Sequence, residues 1–159
     1  MLYTDTVWMG SGAFKQDMSV VFDTGSDWLI VEVEECATCL QNRYETALSE
    51  AFVKLQGTYG ERLYGSLSTS GYEALDTVCF TSDPNHCVEN FQWFAVTFQD
   101  GGLAPFKDGI LGLTTVYNQF ITGPSLVWQM YEQSIIEEPV FAFYLAGPNE
   151  DSYFDAGVI

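Results

Sequence analysis

The sequence predicts a mainly β protein made of one domain. Aromatic residues make up 16% of the chain, with 12 Phe and 9 Tyr, and such side chains suit the pleated, half-buried surface of a sheet. The apolar segments are short and are separated by turns rich in glycine. At 159 residues the chain has the length of one domain, and no internal repeat, low-complexity tract or long linker divides it.

Six segments have the composition of β-strands. Each is short, contains β-branched or aromatic residues, and is bounded by residues that form turns. They cover residues 3–10, 20–22, 29–33, 91–98, 108–113 and 141–145. Segment 91–98 is the densest in aromatic residues, so we expect it to be a central strand of the sheet.

One α-helix is expected from residue 125 to about residue 134. Pro124 precedes it, as is common at helix starts, and four apolar side chains then follow at helical spacing. They are Leu126, Val127, Met130 and Tyr131. We interpret this face as core packing. A second, shorter helix is predicted at residues 47–52.

The most informative segment is an apolar strand that ends in an acid. The strand ends at Asp23, and Thr24, Gly25 and Ser26 follow it. A carboxylate that leaves a buried strand and enters a tight turn is held by N–H and O–H groups instead of bulk water, which is how a catalytic acid is built. The same residues are also typical of a plain turn, and the motif alone does not decide between the two interpretations.

Two further segments favour a catalytic interpretation. Tyr64, Gly65 and Ser66 combine an aromatic residue with a flexible glycine and predict the tip of a hairpin. Residues 108–113 contain an apolar pair flanked by two glycines. Such a pattern suits a buried strand that crosses close to another backbone.

The order and spacing of these segments resemble the amino-terminal lobe of the pepsin-like aspartic proteases. The resemblance runs from residue 3 to residue 159, and residues 1–159 are accordingly expected to form a single lobe. Residues 23–26 correspond to the active-site loop of that family, residues 64–66 to its flap, and residues 108–113 to the strand behind the loop. Residues 154–159 are similar to the strand that passes into the second lobe.

The resemblance implies both a fold and an activity. The implied fold has bent β-sheets that form a partly open barrel. The implied activity is hydrolysis of peptide or protein substrates at acidic pH by an aspartic endopeptidase, with Asp23 as its catalytic residue. The implied supporting roles fall on the rest of the active-site loop and on the flap, namely Thr24, Gly25, Ser26, Tyr64, Gly65 and Ser66.

The implied chemistry needs a second aspartate. Two carboxylates about 3 Å apart share a proton, and one then acts as base towards water while the other acts as acid. The chain contains one Asp-Thr-Gly, and neither Asp76 nor Asp108 has a comparable setting. The second aspartate is therefore expected from a carboxyl-terminal lobe or from a second copy of the chain.

Two positions depart from the family pattern. Relatives usually have a tryptophan, hydrogen-bonded to the flap tyrosine, where this chain has Ile30, and a flap glycine where it has Leu67. Trp28 lies two residues before Ile30 and, on a strand, would share its face. These departures support an alternative function, which is a non-catalytic binding or structural module that retains the protease fold.

The charge of the chain is strongly acidic. Its net charge is −17, from 22 acidic and 5 basic residues, which argues against nucleic acid or an anionic membrane surface as a partner. Carboxylates repel one another less in acid, so we expect a secreted protein or an acidic endolysosomal or vacuolar compartment, although solubility alone would also explain the charge. Acidic runs such as Glu32, Glu34 and Glu35 are expected on a solvated face. No apolar run approaches the length of a membrane span.

Four cysteines occur as two local pairs, Cys36 with Cys39 and Cys79 with Cys87. Four cysteines allow three connectivities, which sequence alone does not decide, and we expect the local pairing. Zinc is the alternative, because the first pair has Cys-x-x-Cys spacing and His86 lies beside the second. A structural zinc site needs two properly spaced ligand pairs, so we expect no metal and no cofactor. A thioredoxin-type role lacks the surrounding βαβ pattern.

Overall fold

The structure is a computed structural model that describes residues 3–101, 107–115, 123–145 and 156–158 of the 159-residue chain. Side chains are described up to residue 143. Of the expected carboxyl-terminal strand at 154–159, the structure includes 156–158, and residues 154, 155 and 159 lie outside the described part.

Ten strands and one α-helix make up the described regular structure, together with two short 3-10 turns. The strands are β1 (Thr4–Met9), β2 (Gln16–Asp23), β3 (Leu29–Glu32), β4 (Val53–Lys54), β5 (Gly60–Tyr64), β6 (Leu67–Cys79), β7 (Cys87–Asp100), β8 (Gly109–Gly112), β9 (Phe143–Leu145) and β10 (Ala156–Val158). The helix is α1 (Leu126–Glu132). The prediction of a mainly β fold is confirmed.

Six of the strands form a closed ring. They are hydrogen-bonded in the order β1-β2-β8-β3-β7-β6, and β1 also pairs with β6. Most neighbours are antiparallel, but β2 runs parallel to β8 and β3 runs parallel to β7. Strands β4 and β5 pair with β6 outside the ring, and β9 pairs with β10 as a separate ribbon. This arrangement encloses an apolar core.

The buried side chains form two clusters. The larger one lies inside the ring, and its bulkiest members are Trp93, Phe91, Tyr44 and Met9. The smaller one, which we call the flap-side cluster, consists of Val21, Trp28, Ile30, Cys36, Cys39, Leu67, Phe94, Val96 and Ile110. Strand β7 contributes to both clusters because successive side chains of a strand point to opposite faces. The aromatic segment expected to be central is therefore a two-faced core strand.

The helix begins and ends close to the predicted positions. The Ser125 hydroxyl accepts a hydrogen bond from the Trp128 N–H at 3.3 Å and caps α1, and Leu126, Val127 and Met130 are buried, as expected for core packing. The helix predicted at 47–52 is wrong. A 3-10 turn at Thr46–Leu48 occupies the start of that segment, and it has no buried residue that could stabilise a longer helix.

Both local disulfides are present. Cys36 bonds to Cys39, and Cys79 bonds to Cys87. Cys79 and Cys87 face each other directly across β6 and β7, so the second disulfide closes the end of that hairpin. The pairing expected from sequence is confirmed.

Two buried carboxyl groups differ sharply in their surroundings. Asp76 is fully buried and accepts hydrogen bonds from the Tyr44 hydroxyl and the Ser49 hydroxyl, each at 2.7 Å, and from the Thr77 N–H at 2.8 Å. Its charge is therefore compensated by donors. Glu32 is also fully buried, but neither of its oxygens has a well-formed hydrogen bond within the described residues.

The expectation that Glu32 lies on a solvated face is wrong, although Glu34 and Glu35 are exposed. Glu32 is the last residue of β3, which lies between β7 and β8 and is buried along its whole length. Burial raises the pKa of Glu32 to about 7, and the nearby Asp108 carboxylate adds to the rise. The approach of Gln41, Gln99 and Arg43 lowers the pKa by less.

This environment predicts that the folded protein loses stability as pH rises. An unfolded glutamate titrates near 4.5, whereas folded Glu32 titrates at about 7, so the unfolded state binds fewer protons between these values. The part of the stability that depends on Glu32 is therefore greatest below pH 4.5, falls towards pH 7 and then levels. The contribution of Glu32 to this fall is about 3 kcal/mol at most. Glu32→Gln should remove it, as measured by urea unfolding across that pH range.

Glu35→Gln is the matched control, because Glu35 is exposed and forms a 3.7 Å ion pair with Lys54. It should retain the pH dependence of the wild type. Glu32→Gln can also change the free energy of unfolding by the same amount at every pH. Such a change does not affect the test, because the test compares how the free energy of unfolding varies with pH. An unchanged slope in Glu32→Gln would show that Glu32 is not the titrating group.

Gly109 predicts a second, purely steric sensitivity. A Cβ at this position would overlap the carbonyl oxygen of Ile30 and lie 3.2 Å from the Val31 Cα, because β8 and β3 cross very closely there. Gly109→Ala should lower the free energy of unfolding by about 3 kcal/mol. In Gly60→Ala the new Cβ would make ordinary contacts with the Arg62 Nη1 atom at 3.6 Å and the Thr58 carbonyl oxygen at 3.9 Å, and urea unfolding should detect little change. Equal midpoints for both variants would contradict this account.

Candidate active site

Strand β2 carries Asp23 from the core to the surface of the fold. Met18 and Val20 of this strand are fully buried and Asp23, its last residue, is half-buried. The Asp23 Oδ1 atom accepts a hydrogen bond from the Gly25 N–H at 3.0 Å. The turn after the strand thus supplies one N–H donor to the carboxylate.

The loop that follows Asp23 is hydrogen-bonded along its length to one segment of backbone. The N–H of Leu113 donates to the Asp23 carbonyl at 2.8 Å, that of Thr114 to the Ser26 carbonyl at 3.0 Å, and that of Gly112 to the Trp28 carbonyl at 2.9 Å. Residues 112–114 therefore support the loop from both of its arms. The predicted glycine-bearing strand lies behind the loop as β8 and its continuation.

The other residues of the loop differ in exposure. Thr24 and Gly25 are exposed, whereas Ser26 is half-buried. The Ser26 Oγ atom itself is buried and has no hydrogen-bond partner within the part of the chain that the structure describes. This hydroxyl, three residues after Asp23 in the chain, is thus a buried polar group whose hydrogen-bonding capacity the described residues leave unused.

The predicted hairpin tip is present. Tyr64 pairs with Leu67 across β5 and β6, and Gly65 and Ser66 form the two-residue loop between them. Gly65 has φ of 59°, and a Cβ there would meet nothing within 4 Å, so the tip projects into open space. We call residues 60–71 the flap hairpin.

Tyr64 lies close to the acidic loop. Its ring is half-buried against the flap-side cluster, and burial is the main reason that the pKa of its hydroxyl is raised. The carboxylates of Asp27 and Asp23 raise this pKa further, and Arg62 lowers it. The structure thus brings the two predicted segments, the acidic loop and the hairpin tip, to one side of the fold.

Two charged residues of this region were not singled out from sequence. The Asp27 Oδ2 atom accepts a hydrogen bond from the Gly123 N–H at 2.7 Å. Arg62 lies with its guanidinium carbon 4.7 Å from the ring centroids of both Trp28 and Phe94. A signal for Arg62 existed, since it is one of five basic residues and strand alternation puts it on the same face as Tyr64.

Neither disulfide belongs to the acidic loop or to the flap hairpin. Cys36 and Cys39 belong to the flap-side cluster, and Cys79 lies at the opposite end of β6 from the flap tip. Because all four cysteines are oxidised, they are not thiolate ligands for zinc. The described residues contain no group of three potential metal ligands and no helix long and apolar enough to cross a bilayer.

Comparison with known proteins agrees with the geometry. Residues 2–155 match the eukaryotic aspartyl protease family. Vacuolar protease A of Neurospora crassa is 38% identical over 149 residues, covering 89% of this chain and 36% of that protein. Cathepsin D of Clupea harengus is 34% identical, covering 86% of this chain and 35% of its own length. Phytepsin of Hordeum vulgare is 33% identical, and the match covers 86% of this chain and 27% of phytepsin.

The chain thus spans about a third of the length of the relatives that it matches. The acidic loop, the flap hairpin and β8 all lie within the range of the family match. Because the family match extends from residue 2 to residue 155, the chain belongs to the eukaryotic aspartyl protease family.

Proposed function

We propose that this chain is the amino-terminal lobe of an aspartic endopeptidase that is completed by a second, aspartate-bearing lobe. The observation that carries the proposal is the support of the Asp23 loop. The carboxylate is half-buried, accepts the Gly25 N–H, and belongs to a loop held at both arms by residues 112–114. A plain surface turn does not need such support.

In the proposed mechanism Asp23 shares one proton with an aspartate of the opposing lobe. Repulsion between two nearby carboxylates stabilises the singly protonated pair. The ionised member removes a proton from a water molecule as that water attacks the peptide carbonyl carbon, and the protonated member donates its proton to the carbonyl oxygen. In this proposal Ser26 supports the loop that carries Asp23, since its backbone carbonyl accepts a hydrogen bond from the Thr114 N–H.

The flap hairpin supports the choice of an extended peptide as substrate. Among the described strands β5 pairs with β6 alone, so its other edge presents N–H and C=O groups to an added strand. Tyr64, on β5, lies close to the carboxylates of the acidic loop. Its neighbour on the strand, Leu63, is 76% exposed. A bound peptide would therefore lie between the flap and Asp23.

The two departures from the family pattern do not disrupt this region. Leu67 is 4% exposed and packs in the flap-side cluster, and its backbone is not among the positive-φ residues, so the position does not need glycine. Ile30 is fully buried in the same cluster. Both residues add apolar contacts in the flap-side cluster, so these departures are compatible with an active lobe.

The length of the relatives favours a partner lobe over a second copy of this chain. About two thirds of vacuolar protease A and cathepsin D lie outside the matched region, which is more than enough for a second lobe of this size. A symmetric pair of Asp23 side chains from two copies remains the competing arrangement, and the oligomeric state of the active species distinguishes the two.

An acidic vacuolar, endolysosomal or secretory compartment suits the proposed enzyme. The net charge of −17 is partly neutralised in acid, the two disulfides are stable in an oxidising compartment, and Glu32 is neutral below its pKa of about 7. The name of vacuolar protease A refers to such a compartment in that relative.

The proposal predicts that Asp23→Asn abolishes peptide hydrolysis. In the complete assembly, hydrolysis of a broad peptide pool at about pH 4 should fall by at least about a thousandfold, because an amide cannot share or accept the proton. A peptide that carries a hydroxyl in place of the scissile carbonyl should inhibit the wild type.

Asp17→Asn is the matched control, because Asp17 is an exposed aspartate of the same lobe. It should leave hydrolysis unchanged. Cleavage by Asp23→Asn at the wild-type rate would rule out Asp23 as the catalytic acid. A wild-type assembly that neither cleaves the pool nor binds the mimic would instead support the non-catalytic module.

A further inference from the structure

We propose that Arg62 is a positioning residue that holds the flap hairpin above Asp23. This inference rests on the proposed function for its catalytic consequence. Arg62 lies on β5, two residues before Tyr64, and its side chain is only 24% exposed. It therefore points into the fold rather than into solvent.

The first set of contacts joins the flap to the chain that leaves the acidic loop. The Arg62 guanidinium carbon lies 4.7 Å from the ring centroid of Trp28 and 4.7 Å from that of Phe94. These distances are within the range of cation–π attraction. The two rings pack edge to face, 6.4 Å apart. Trp28 is 3% exposed and lies one residue before β3, so Arg62 contacts a rigid part of the structure.

The second set of contacts fixes the guanidinium itself. The Arg62 Nη2 atom forms a 3.0 Å ion pair with the Glu73 Oε1 atom, and the Glu73 side chain is 19% exposed. The other Glu73 oxygen accepts a 2.6 Å hydrogen bond from Gln92 on β7. The Glu73 N–H donates to the Thr58 hydroxyl. Glu73 is thus held by three strands or loops and fixes Arg62 in turn.

These contacts occupy the position where a flap anchor is needed. Ile30 lies in the flap-side cluster and has no hydrogen-bond donor in its side chain. Arg62 reaches the same flap-side cluster from the flap itself and contacts Trp28 instead. In the described structure the flap hairpin is thus joined to this cluster by a cation that lies against two rings and pairs with a carboxylate.

The consequence for function follows from the position of Tyr64, a flap residue close to the carboxylates of the acidic loop. Tyr64 experiences the charges of Asp27, Asp23 and Arg62 together, so a displacement of β5 changes the surroundings of the proposed catalytic carboxylate. An unanchored flap would spend less time closed over substrate. Loss of Arg62 should then weaken substrate binding more than it slows the chemical step.

The test compares Arg62→Met with Arg62→Lys. Methionine removes the charge and keeps most of the length, whereas lysine keeps the charge and the reach towards Glu73 but loses the planar face. Amide hydrogen exchange of residues 61–70 should rise about tenfold in Arg62→Met, the scale of one cation–π contact and one partly buried ion pair. The rise in Arg62→Lys should be smaller. In the complete assembly, KM for peptides should rise about tenfold in Arg62→Met with kcat changed less.

Lys54→Met is the matched control, because Lys54 lies 3.6 Å from the ring centroid of Tyr72 and pairs with Glu35. It removes the same two kinds of contact outside the flap hairpin and should leave flap exchange unchanged. Glu73→Gln provides a milder variant in case Arg62→Met is poorly folded, and it should raise flap exchange to an intermediate level.

The outcomes separate this inference from the proposed function. Flap exchange that stays at the wild-type level in Arg62→Met, or that rises equally in β2, β3 and β8, overturns the role of Arg62, whether or not the assembly cleaves peptides. An assembly that is inactive in the wild type overturns the proposed function, while exchange of the flap amides still decides whether Arg62 anchors the hairpin.

Discussion

The fold around Asp23 depends on the hydrogen bonding of β8 to the strands on both sides of the acidic loop. Strand β2 enters the loop parallel to β8, and β3 leaves it antiparallel to β8. The backbone that continues from β8 then binds the loop carbonyls. The close approach of β8 and β3 at Gly109 allows this arrangement. The orientation of the carboxylate is therefore a property of the buried sheet and not of the surface turn alone.

The chain has few basic residues, and two of them lie against aromatic rings. Arg62 lies between two aromatic rings under the flap, and Lys54 lies over Tyr72. The chain has 22 acidic and only 5 basic residues, so its basic side chains do not neutralise most of its carboxylates. An acidic medium suits this charge balance, because protonation of carboxylates reduces their repulsion. Fully buried Glu32 is also favoured by acid, because it is neutral below its pKa of about 7.

Sequence reasoning was accurate where local chemistry decides structure. Pro124 and Ser125 mark the helix start because they favour its first turn through their own backbone and side chain, and the Gly65-containing tip follows from a residue that adopts positive φ. It was wrong for residues 47–52 and for Glu32. In the first segment only the 3-10 turn at Thr46–Leu48 forms, and none of its residues is buried. Glu32 lies on a strand that is hydrogen-bonded on both sides, to β7 and to β8. Strands β7 and β8 are both far from Glu32 in the sequence.

The amino-acid sequence by itself determined the mainly β class, the acid at the end of β2, the hairpin tip and the resemblance to one protease family, because each depends on residues that are near one another in the chain. Only the tertiary structure decided which carboxyl groups are buried, which backbone supports the acidic loop, and that Arg62 contacts Trp28 and Phe94. The physical reason is that burial and long-range contacts are set by strands paired across the ring, and their energies depend on partners that lie tens of residues away.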